Sequence, residues 1–316
     1  MYERFYGLRE RPFNLTSNPR YLMLTSRHAE CLSTLQYGIS HRLGIIVLVG
    51  EAGTGKTTVV RAAVASQANG RFVLVNNPLL SRAEFFQRVG EGFGLSEAEM
   101  SSKTRFLTAL TLTLEASARA GTQVALIVDE AHALPFEILE EIRLLANIET
   151  DDMKLLPVVL AGQPELGDRL NEASLRQLKQ RVALRCSLSV LKIRETAAYI
   201  AGRIRVAGGD AAQLFTQEAV ELIHACAHGL PRTISVICDN ALVSGFAADE
   251  RPVGAGTVRD VCLDLDLPVP ELPRRKPLTP PVAAPPEPAD VAPVEAPVRA
   301  ARRFGLRFPR PFFFRS

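Results

Sequence analysis

The sequence GEAGTGKTTVV at residues 50–60 follows the apolar run GIIVLV at 44–49 and decides the fold. Four of its residues, Gly50, Gly55, Lys56 and Thr57, match the phosphate-binding pattern G-x-x-x-x-G-K-[ST]. The pattern requires a strand before it and a helix after it, and both are predicted here. This context disfavours a chance match in a glycine-rich turn. The segment therefore predicts a loop that wraps the phosphates of a nucleoside triphosphate.

Each part of this loop has a physical role in the prediction. Glycines let backbone N–H groups approach phosphate oxygens, and the helix N-terminus adds a partial positive charge. We expect Lys56 to reach the β- and γ-phosphates of ATP, and Thr57 to offer its hydroxyl to Mg²⁺. The residues expected to line the nucleotide, which we call the P-loop, are Gly50, Glu51, Ala52, Gly53, Thr54, Gly55, Lys56, Thr57 and Thr58.

The sequence LIVDEAH at 126–132 supplies the second half of the predicted site. An apolar strand that ends in two carboxylates places Asp129 near the metal and Glu130 near the attacking water. A P-loop kinase would transfer the phosphate to a substrate instead, but the adjacent Glu130 favours water as the acceptor. The letters D-E-A-H also occur in helicases. Those enzymes carry a second sheet domain, whereas the segment that follows the last predicted strand here is helical.

Five short apolar segments predict buried parallel strands, at 45–49, 72–76, 124–128, 155–161 and 183–188. Helical patterns separate them, as in FEILEEIRLLANIE, where Ile138, Ile142 and Leu145 share one face. Strands that alternate with helices predict an α/β fold. The fold class expected is a P-loop αβα sandwich with a five-stranded parallel sheet.

After residue 190 the pattern becomes helical, with Thr216 as a predicted N-cap, Gly229 as a helix stop and Pro231 in the first turn of another helix. Beyond 266 lie 13 of the 21 prolines, which predicts a disordered linker. Four regions are therefore expected. They are a lead-in packing on the core at 1–43, the nucleotide-binding domain at 44–190, a small all-helical lid at 191–265 and a Pro-rich basic tail at 266–316.

Composition and charge narrow the classes of protein and of site that remain. The net charge of +3 divides into a surplus of six positive charges from residue 273 onward and about −3 before it. Five cysteines without C-x-x-C spacing predict free thiols, and His224 and His228 lack the further ligands of a metal site. No apolar run reaches the roughly 20 residues that span a bilayer, and no secretory signal is evident. We expect a cytoplasmic protein, or one peripheral to the inner face of the cytoplasmic membrane.

Three further polar residues stand where a triphosphate site would use them. Gln163 follows the fourth predicted strand, Arg181 precedes the fifth, and Arg232 begins a helix of the lid. Charge that spreads over the γ-phosphoryl oxygens in the transition state favours additional cations. Taken alone, each arginine is also compatible with an ordinary surface position.

The combined motifs resemble those of AAA+ ATPases, specifically the ExeA or general secretion pathway protein A type. The resemblance covers residues 1 to about 263 and rests on MYERFYGLRERPFNLTSNPRYL, GEAGTGKTT, LIVDEAH, EEIRLLANIETDDMKLLPVVLAGQPEL, LRQLKQRVALRCSL and AGGDAAQLFTQEAVELIHACAHGLPRTISVICDNAL. It is more specific than the P-loop alone. Related ATPases of the MuB and TniB type serve transposition.

The resemblance implies roles for the residues left open above. Arg181 matches the arginine finger that reaches the nucleotide of a neighbouring subunit, Gln163 matches the first sensor, and Arg232 matches the second. It also implies a place near the adenine for Tyr21 and His28. An arginine supplied by a neighbour predicts a homo-oligomer in which assembly and hydrolysis are coupled.

The resemblance further implies a protein partner in an envelope-associated secretion, pilus or polysaccharide-export system. The best-known secretion member continues with a transmembrane helix and a peptidoglycan-binding domain where this sequence has its Pro-rich tail, so we expect a role other than direct opening of the cell wall. Alternatives are a DNA-associated regulator, disfavoured by the acidic balance before residue 273, and a scaffold that binds ATP with little turnover. The tail end, RRFGLRFPRPFFFRS, is typical of a segment that contacts an anionic membrane surface (residues 298–316), a partner or nucleic acid, or that has no specific target.

Overall fold

A computed structural model describes residues 1–14, 19–21, 25–67, 69–76 and 79–270. The strands are β1 Ile45–Gly50, β2 Gly70–Val75, β3 Gln123–Val128, β4 Val158–Gly162 and β5 Val182–Leu188. The helices are α1 Tyr2–Phe5, α2 Ser26–Ser40, α3 Lys56–Ala65, α4 Arg82–Gly92, α5 Glu97–Met100, α6 Lys103–Arg119, α7 Phe136–Leu145, α8 Pro164–Arg169, α9 Arg176–Lys179, α10 Ile193–Val206, α11 Gln217–Ala227, α12 Pro231–Ala247 and α13 Ala255–Asp264. Short 3-10 turns lie at Pro19–Tyr21, Ala131–Ala133, Ala173–Leu175 and Ala211–Gln213.

The described strands form one parallel sheet in the order β2-β3-β4-β1-β5. All five predicted strands are present, although β4 begins at Val158 rather than at Leu155. Pro157 precedes it and has no N–H to donate to a neighbouring strand, while its carbonyl accepts from the backbone of Leu126 at 3.0 Å. Since the strands are parallel, the residues that follow β1, β3 and β4 emerge at the same edge of the sheet.

The two faces of the sheet carry separate apolar cores, because successive side chains of a strand point to opposite faces. Along β1, Ile45 and Val47 lie in the core shared with α4, α6 and α7. Ile46 and Leu48 lie in the core shared with α2 and α3. Every residue of β1 is buried, which places the start of the P-loop on a fixed support.

Helices α10 to α13 surround a third apolar core. The residues at the ends of α11 and α12 agree with the sequence predictions. Thr216 caps α11, with its side chain accepting from the backbone N–H of Ala219. Helix α11 ends at His228, which takes a left-handed conformation with φ 49°, and Gly229 follows with φ 72°. Pro231 occupies the first turn of α12, as predicted. The chain therefore turns sharply between α11 and α12.

The first fourteen residues pack in this third core, whereas we expected the whole lead-in, residues 1–43, to pack on the nucleotide-binding core. Tyr6 and Phe13 are fully buried there among the side chains of α10 to α13. Arg203 of α10 fixes the backbone beside them, donating to the carbonyls of Pro12 at 2.7 Å and Asn14 at 2.9 Å. The aromatic side chains of this segment are buried against the apolar faces of these helices. In contrast, α2, which belongs to the same predicted lead-in, packs on the sheet.

The packed part of the chain continues a few residues past the predicted boundary at 265, because Leu267 and Val269 lie half-buried against the helical core. The predictions for most of the tail concern residues 271–316, which lie outside the described residues. None of the helices in the described part of the chain has the length and apolar character needed to span a bilayer. All five cysteines are free, as expected, and all of them are buried.

The turn between α11 and α12 allows a test of the helical core. We expect Gly229→Ala to lower the free energy of unfolding by at least about 2 kcal/mol, because a Cβ there would approach the Leu191 carbonyl oxygen to 2.2 Å in a left-handed backbone. The matched control is Gly256→Ala, where an added Cβ meets no atom within 4 Å and helix propensity favours alanine. Urea unfolding followed by circular dichroism measures both variants, and equal stability of the two would contradict the packing described.

Candidate nucleotide-binding site

The P-loop runs from the last residue of β1, Gly50, into the first turn of α3, as predicted. Gly53 and Gly55 have φ values of 81° and 100°, a region that side chains disfavour. Thr54 closes a turn within the loop, since its hydroxyl donates to the Glu51 carbonyl at 2.8 Å. The loop thus presents backbone N–H groups at the N-terminus of α3, an arrangement suited to anions.

Lys56 is buried in the P-loop with 5% of its surface exposed. Its ammonium donates to the carbonyls of Gly50 at 2.7 Å and Glu51 at 3.1 Å. Burial lowers the pKa of Lys56, and the nearby carboxylates of Glu130 and Asp129 oppose that shift. The positive charge is therefore held close to the loop in surroundings where water screens it poorly.

Thr57 and Asp129 join the P-loop to the end of β3. The Thr57 hydroxyl donates to Oδ2 of Asp129 at 2.6 Å, and Asp129 is 7% exposed. The backbone N–H of Asp129 is held by the Val75 carbonyl at 2.9 Å. A hydroxyl and a carboxylate on rigid elements are hard oxygen donors of the kind that Mg²⁺ prefers. The donor set therefore fits the predicted metal.

Glu130 stands beside this pair in a strained conformation. Its φ of 53° is unusual for a residue with a side chain, and such positions are concentrated at functional sites. Its backbone N–H donates to Oδ1 of Asp129 at 3.0 Å. The carboxylate is 44% exposed and lies 3.5 Å from Nδ1 of His132. This backbone turns the acid away from the core and toward the open edge of the sheet.

Gln163 occupies the N-cap position of α8, directly after β4 and at the same edge of the sheet. Its side-chain nitrogen lies 3.1 Å from Nε2 of His132, and its backbone N–H donates to Nδ1 of that ring at 3.4 Å. Arg169 of α8 donates to the His132 carbonyl. His132 thus connects the residues that follow β3 with those that follow β4.

Arg232 reaches the P-loop from the helical core. Its backbone N–H, at the start of α12, donates to the Gly53 carbonyl at 3.2 Å. Its side-chain stem covers the same glycine, where an added Cβ would lie 3.0 Å from Cβ of Arg232. The structure therefore brings this arginine to the predicted site.

Arg181 is not brought to the site of its own chain. Its carbonyl accepts from the backbone of Ile45, at the start of β1, whereas Gly50 ends that strand. Five residues of strand span about 16 Å, which is more than an arginine side chain reaches. The side chain of Arg181 is exposed.

Two further sequence hypotheses concern histidines. His224 bonds to the hydroxyl of Thr196 at 2.8 Å, and His228 is the residue that ends α11. Within the described residues no cluster of three or more His, Cys, Asp or Glu side chains is arranged to hold a metal.

His28 lies against the P-loop, whereas Tyr21 lies under the guanidinium of Arg203 at 4.8 Å. The contact between His28 and the loop was not predicted, because no spacing signal connects residues that far apart in sequence.

Comparisons with known proteins find relatives of this sequence. The family described as AAA domain matches residues 39–170. The sequence is 38% identical over 259 residues to General secretion pathway protein A of Aeromonas hydrophila, covering 82% of this chain and 47% of that protein. The chain thus spans about half the length of the curated relative it matches.

Similar folds occur among solved structures. The Aeropyrum pernix ORC2 protein, solved in ADPNP-ADP complexes, is 16% identical with a TM-score of 0.60 over 81% of this chain and 71% of that one. Cdc6p from Pyrobaculum aerophilum is 16% identical with a TM-score of 0.57 over 76% and 67%. At this identity the likeness concerns the fold alone.

A parallel five-stranded sheet, a phosphate loop after β1 and the matching domain define the class: the chain carries a domain of the AAA family at residues 39–170, with the fold of P-loop nucleotide-binding proteins. Within that family it is similar to General secretion pathway protein A. Both the predicted fold class and the predicted resemblance are confirmed.

Replacement of the buried Lys56 tests whether its charge serves nucleotide binding or the stability of the fold. We expect Lys56→Met to weaken binding of Mg²⁺–ADP at least about 100-fold, because a charge-assisted bond to phosphate is lost. The free energy of unfolding without nucleotide should stay within about 1 kcal/mol of native, since the variant also removes a buried charge. Titration calorimetry and urea unfolding measure the two quantities. A variant that binds normally, or that unfolds several kcal/mol more easily, would contradict this role.

Proposed function

We propose that the chain hydrolyses ATP to ADP and phosphate in a Mg²⁺-dependent reaction, in a site completed by a second copy of the chain. The observation that carries the proposal is the meeting of Lys56, the Thr57–Asp129 pair and Glu130 at one edge of the sheet. Positive charge, hard oxygen donors and an exposed carboxylate are the groups that phosphoryl transfer to water requires.

The chain's own residues divide the work of the reaction. Lys56 and the N–H groups at the start of α3 bind the phosphates and stabilise the negative charge that develops on them. The carboxylate of Glu130 orients a water molecule and accepts its proton, for which its open position at the sheet edge is suited. Gln163, fixed against His132, lies at the same edge and assists in placing that water.

Thr57 and Asp129 are the residues that would hold Mg²⁺. When bound, the ion supplies positive charge that neutralises the β- and γ-phosphate oxygens. ATP is proposed over other triphosphates because the structurally similar ORC2 protein was solved with ADPNP and ADP.

Arg232 connects the site to the helical core. Because α12 begins on the P-loop, a change in charge at the phosphates acts directly on the end of that helix. We propose that Arg232 senses the γ-phosphate. Release of this phosphate after hydrolysis would then shift the helical core relative to the sheet. The movement is the step that would act on a partner.

Arg181 is proposed as the cation supplied by a neighbouring copy. Its distance from its own P-loop and its exposure favour a role outside its own chain. An arginine provided in this way would make hydrolysis depend on self-association, since the separate subunit lacks the charge.

The process served is proposed from the relative. Similarity to General secretion pathway protein A favours assembly or remodelling of an envelope-associated secretion, pilus or polysaccharide-export system over the DNA-associated alternative. Because the chain spans 47% of that protein, the rest of its function does not transfer directly.

A mixing experiment tests the shared site. We expect Arg181→Ala and Glu130→Gln each to retain ATP binding and to lose about 10³-fold in hydrolysis. An equal mixture of the two variants should recover about a quarter of the native rate. In a randomly assembled oligomer about half of the subunits keep Glu130 and about half of their neighbours keep Arg181, so about one interface in four has both residues. Phosphate release at saturating ATP is the measurement.

Arg205→Ala is the matched control, since Arg205 is an exposed arginine of α10 and should leave hydrolysis unchanged. A mixture as inactive as its components would place both residues in one subunit's site. Full activity of Arg181→Ala alone would remove the arginine from the mechanism.

A further inference from the structure

His28 is a buried imidazole that touches the P-loop from outside the motif. It lies in the first turn of α2 with 5% of its surface exposed, and Nε2 is 3.1 Å from the carbonyl oxygen of Thr54. The same nitrogen lies 3.5 Å from the position of a Cβ built on Gly55. The imidazole therefore packs on the peptide that joins these two loop residues.

The surroundings of His28 decide which of its nitrogens carries the proton. A carbonyl oxygen only accepts, so Nε2 donates to Thr54. Nδ1 lies 2.7 Å from the hydroxyl of Thr25, which also caps α2 by accepting from the His28 backbone N–H at 3.3 Å. Burial lowers the pKa of His28, which favours the neutral ring. A neutral ring that donates from Nε2 accepts at Nδ1 from the Thr25 hydroxyl.

The bond to Thr54 fixes the direction of a neighbouring donor. The carbonyl of Thr54 and the N–H of Gly55 belong to one peptide, which is planar and trans, so they point in opposite directions. A carbonyl held toward His28 directs the Gly55 N–H away from α2, toward the side of the loop where the phosphates are proposed to bind. The freedom of Gly55 itself, whose φ is 100°, makes such an external restraint effective.

We propose that His28 is a positioning residue of the nucleotide site, which holds the Thr54–Gly55 peptide so that the Gly55 N–H is directed at a phosphate. The inference rests on the proposed binding of ATP in the P-loop. It assigns His28 to the phosphate end of the site, whereas the resemblance implied the adenine end. Preorganisation of this kind increases nucleotide affinity, because the loop need not be ordered on binding.

Two substitutions of similar size separate hydrogen bonding from packing. Glutamine places its amide nitrogen the same number of bonds from Cβ as Nε2 of histidine, whereas methionine fills the space without a donor. We expect His28→Gln to bind Mg²⁺–ADP within about threefold of native and His28→Met to bind about tenfold more weakly. His41→Met, at the exposed end of the same helix, is the control and should bind normally.

Titration calorimetry gives the affinities, and thermal unfolding without nucleotide shows which variants are folded. If the native chain does not bind Mg²⁺–ADP, the proposed function fails and this inference with it. If the native chain binds and folded Gln and Met variants bind equally well, His28 has no positioning role and the proposed function stands. A folded Gln variant that binds as weakly as the Met variant would also overturn the inference.

The native protein provides a measurement that needs no variant. A long-range ¹H–¹⁵N correlation spectrum distinguishes the two tautomers of a neutral histidine. We expect the Nε2–H form for His28 at neutral pH. An Nδ1–H form would overturn the assignment, since Nε2 would then have no proton to donate to the Thr54 carbonyl.

Discussion

The hydrogen bond between Thr57 and Asp129 is the constraint on which the site depends. It crosses the end of β4 and links the loop after β1 to the residues after β3, two strands away in the sheet. Both partners are fixed by backbone, Thr57 in the first turn of α3 and Asp129 by the carbonyl of Val75. Parallel pairing brings these ends to one edge, and the bond then sets the distance between the phosphate loop and the acidic residues.

A second, buried chain of polar contacts links the helical core to the same loop. Arg203 donates to the hydroxyl of Tyr199 at 2.7 Å, and that hydroxyl lies 2.8 Å from Oγ of Ser235. Ser235 in turn donates to the Pro231 carbonyl at 2.9 Å, one residue before Arg232 meets the P-loop. Buried polar networks of this kind are rigid when fully satisfied. Through Arg203, the opening residues of the chain are tied to the helix that touches the nucleotide site.

The sequence predicted most of what depends on short-range patterns. The P-loop, the acidic pair after β3 and the strand count follow from residue types at fixed spacing. The N-cap at Thr216 and the proline in the first turn of α12 do so as well. These features are encoded within a few residues of one another, so that a single sequence suffices to find them.

The features that were missed depend on contacts between distant segments. The bond from His28 to Thr54 joins residues 26 positions apart, and the bonds from Arg203 to the opening residues span 189 positions or more. No local pattern specifies such pairs, because they result from how the helices pack. For the same reason the sequence did not predict that the first fourteen residues pack in the helical core.

The central claim is that a triphosphate binds in the P-loop with Lys56 on its phosphates, and that Thr57 and Asp129 would hold the metal. The most direct measurement is an experimental structure of the full chain with Mg²⁺ and a non-hydrolysable ATP analogue. The account predicts that the Lys56 ammonium leaves the carbonyls of Gly50 and Glu51 for phosphate oxygens, and that the metal ligates the Thr57 hydroxyl. A triphosphate bound elsewhere on the chain, with Lys56 still on those two carbonyls, would contradict it.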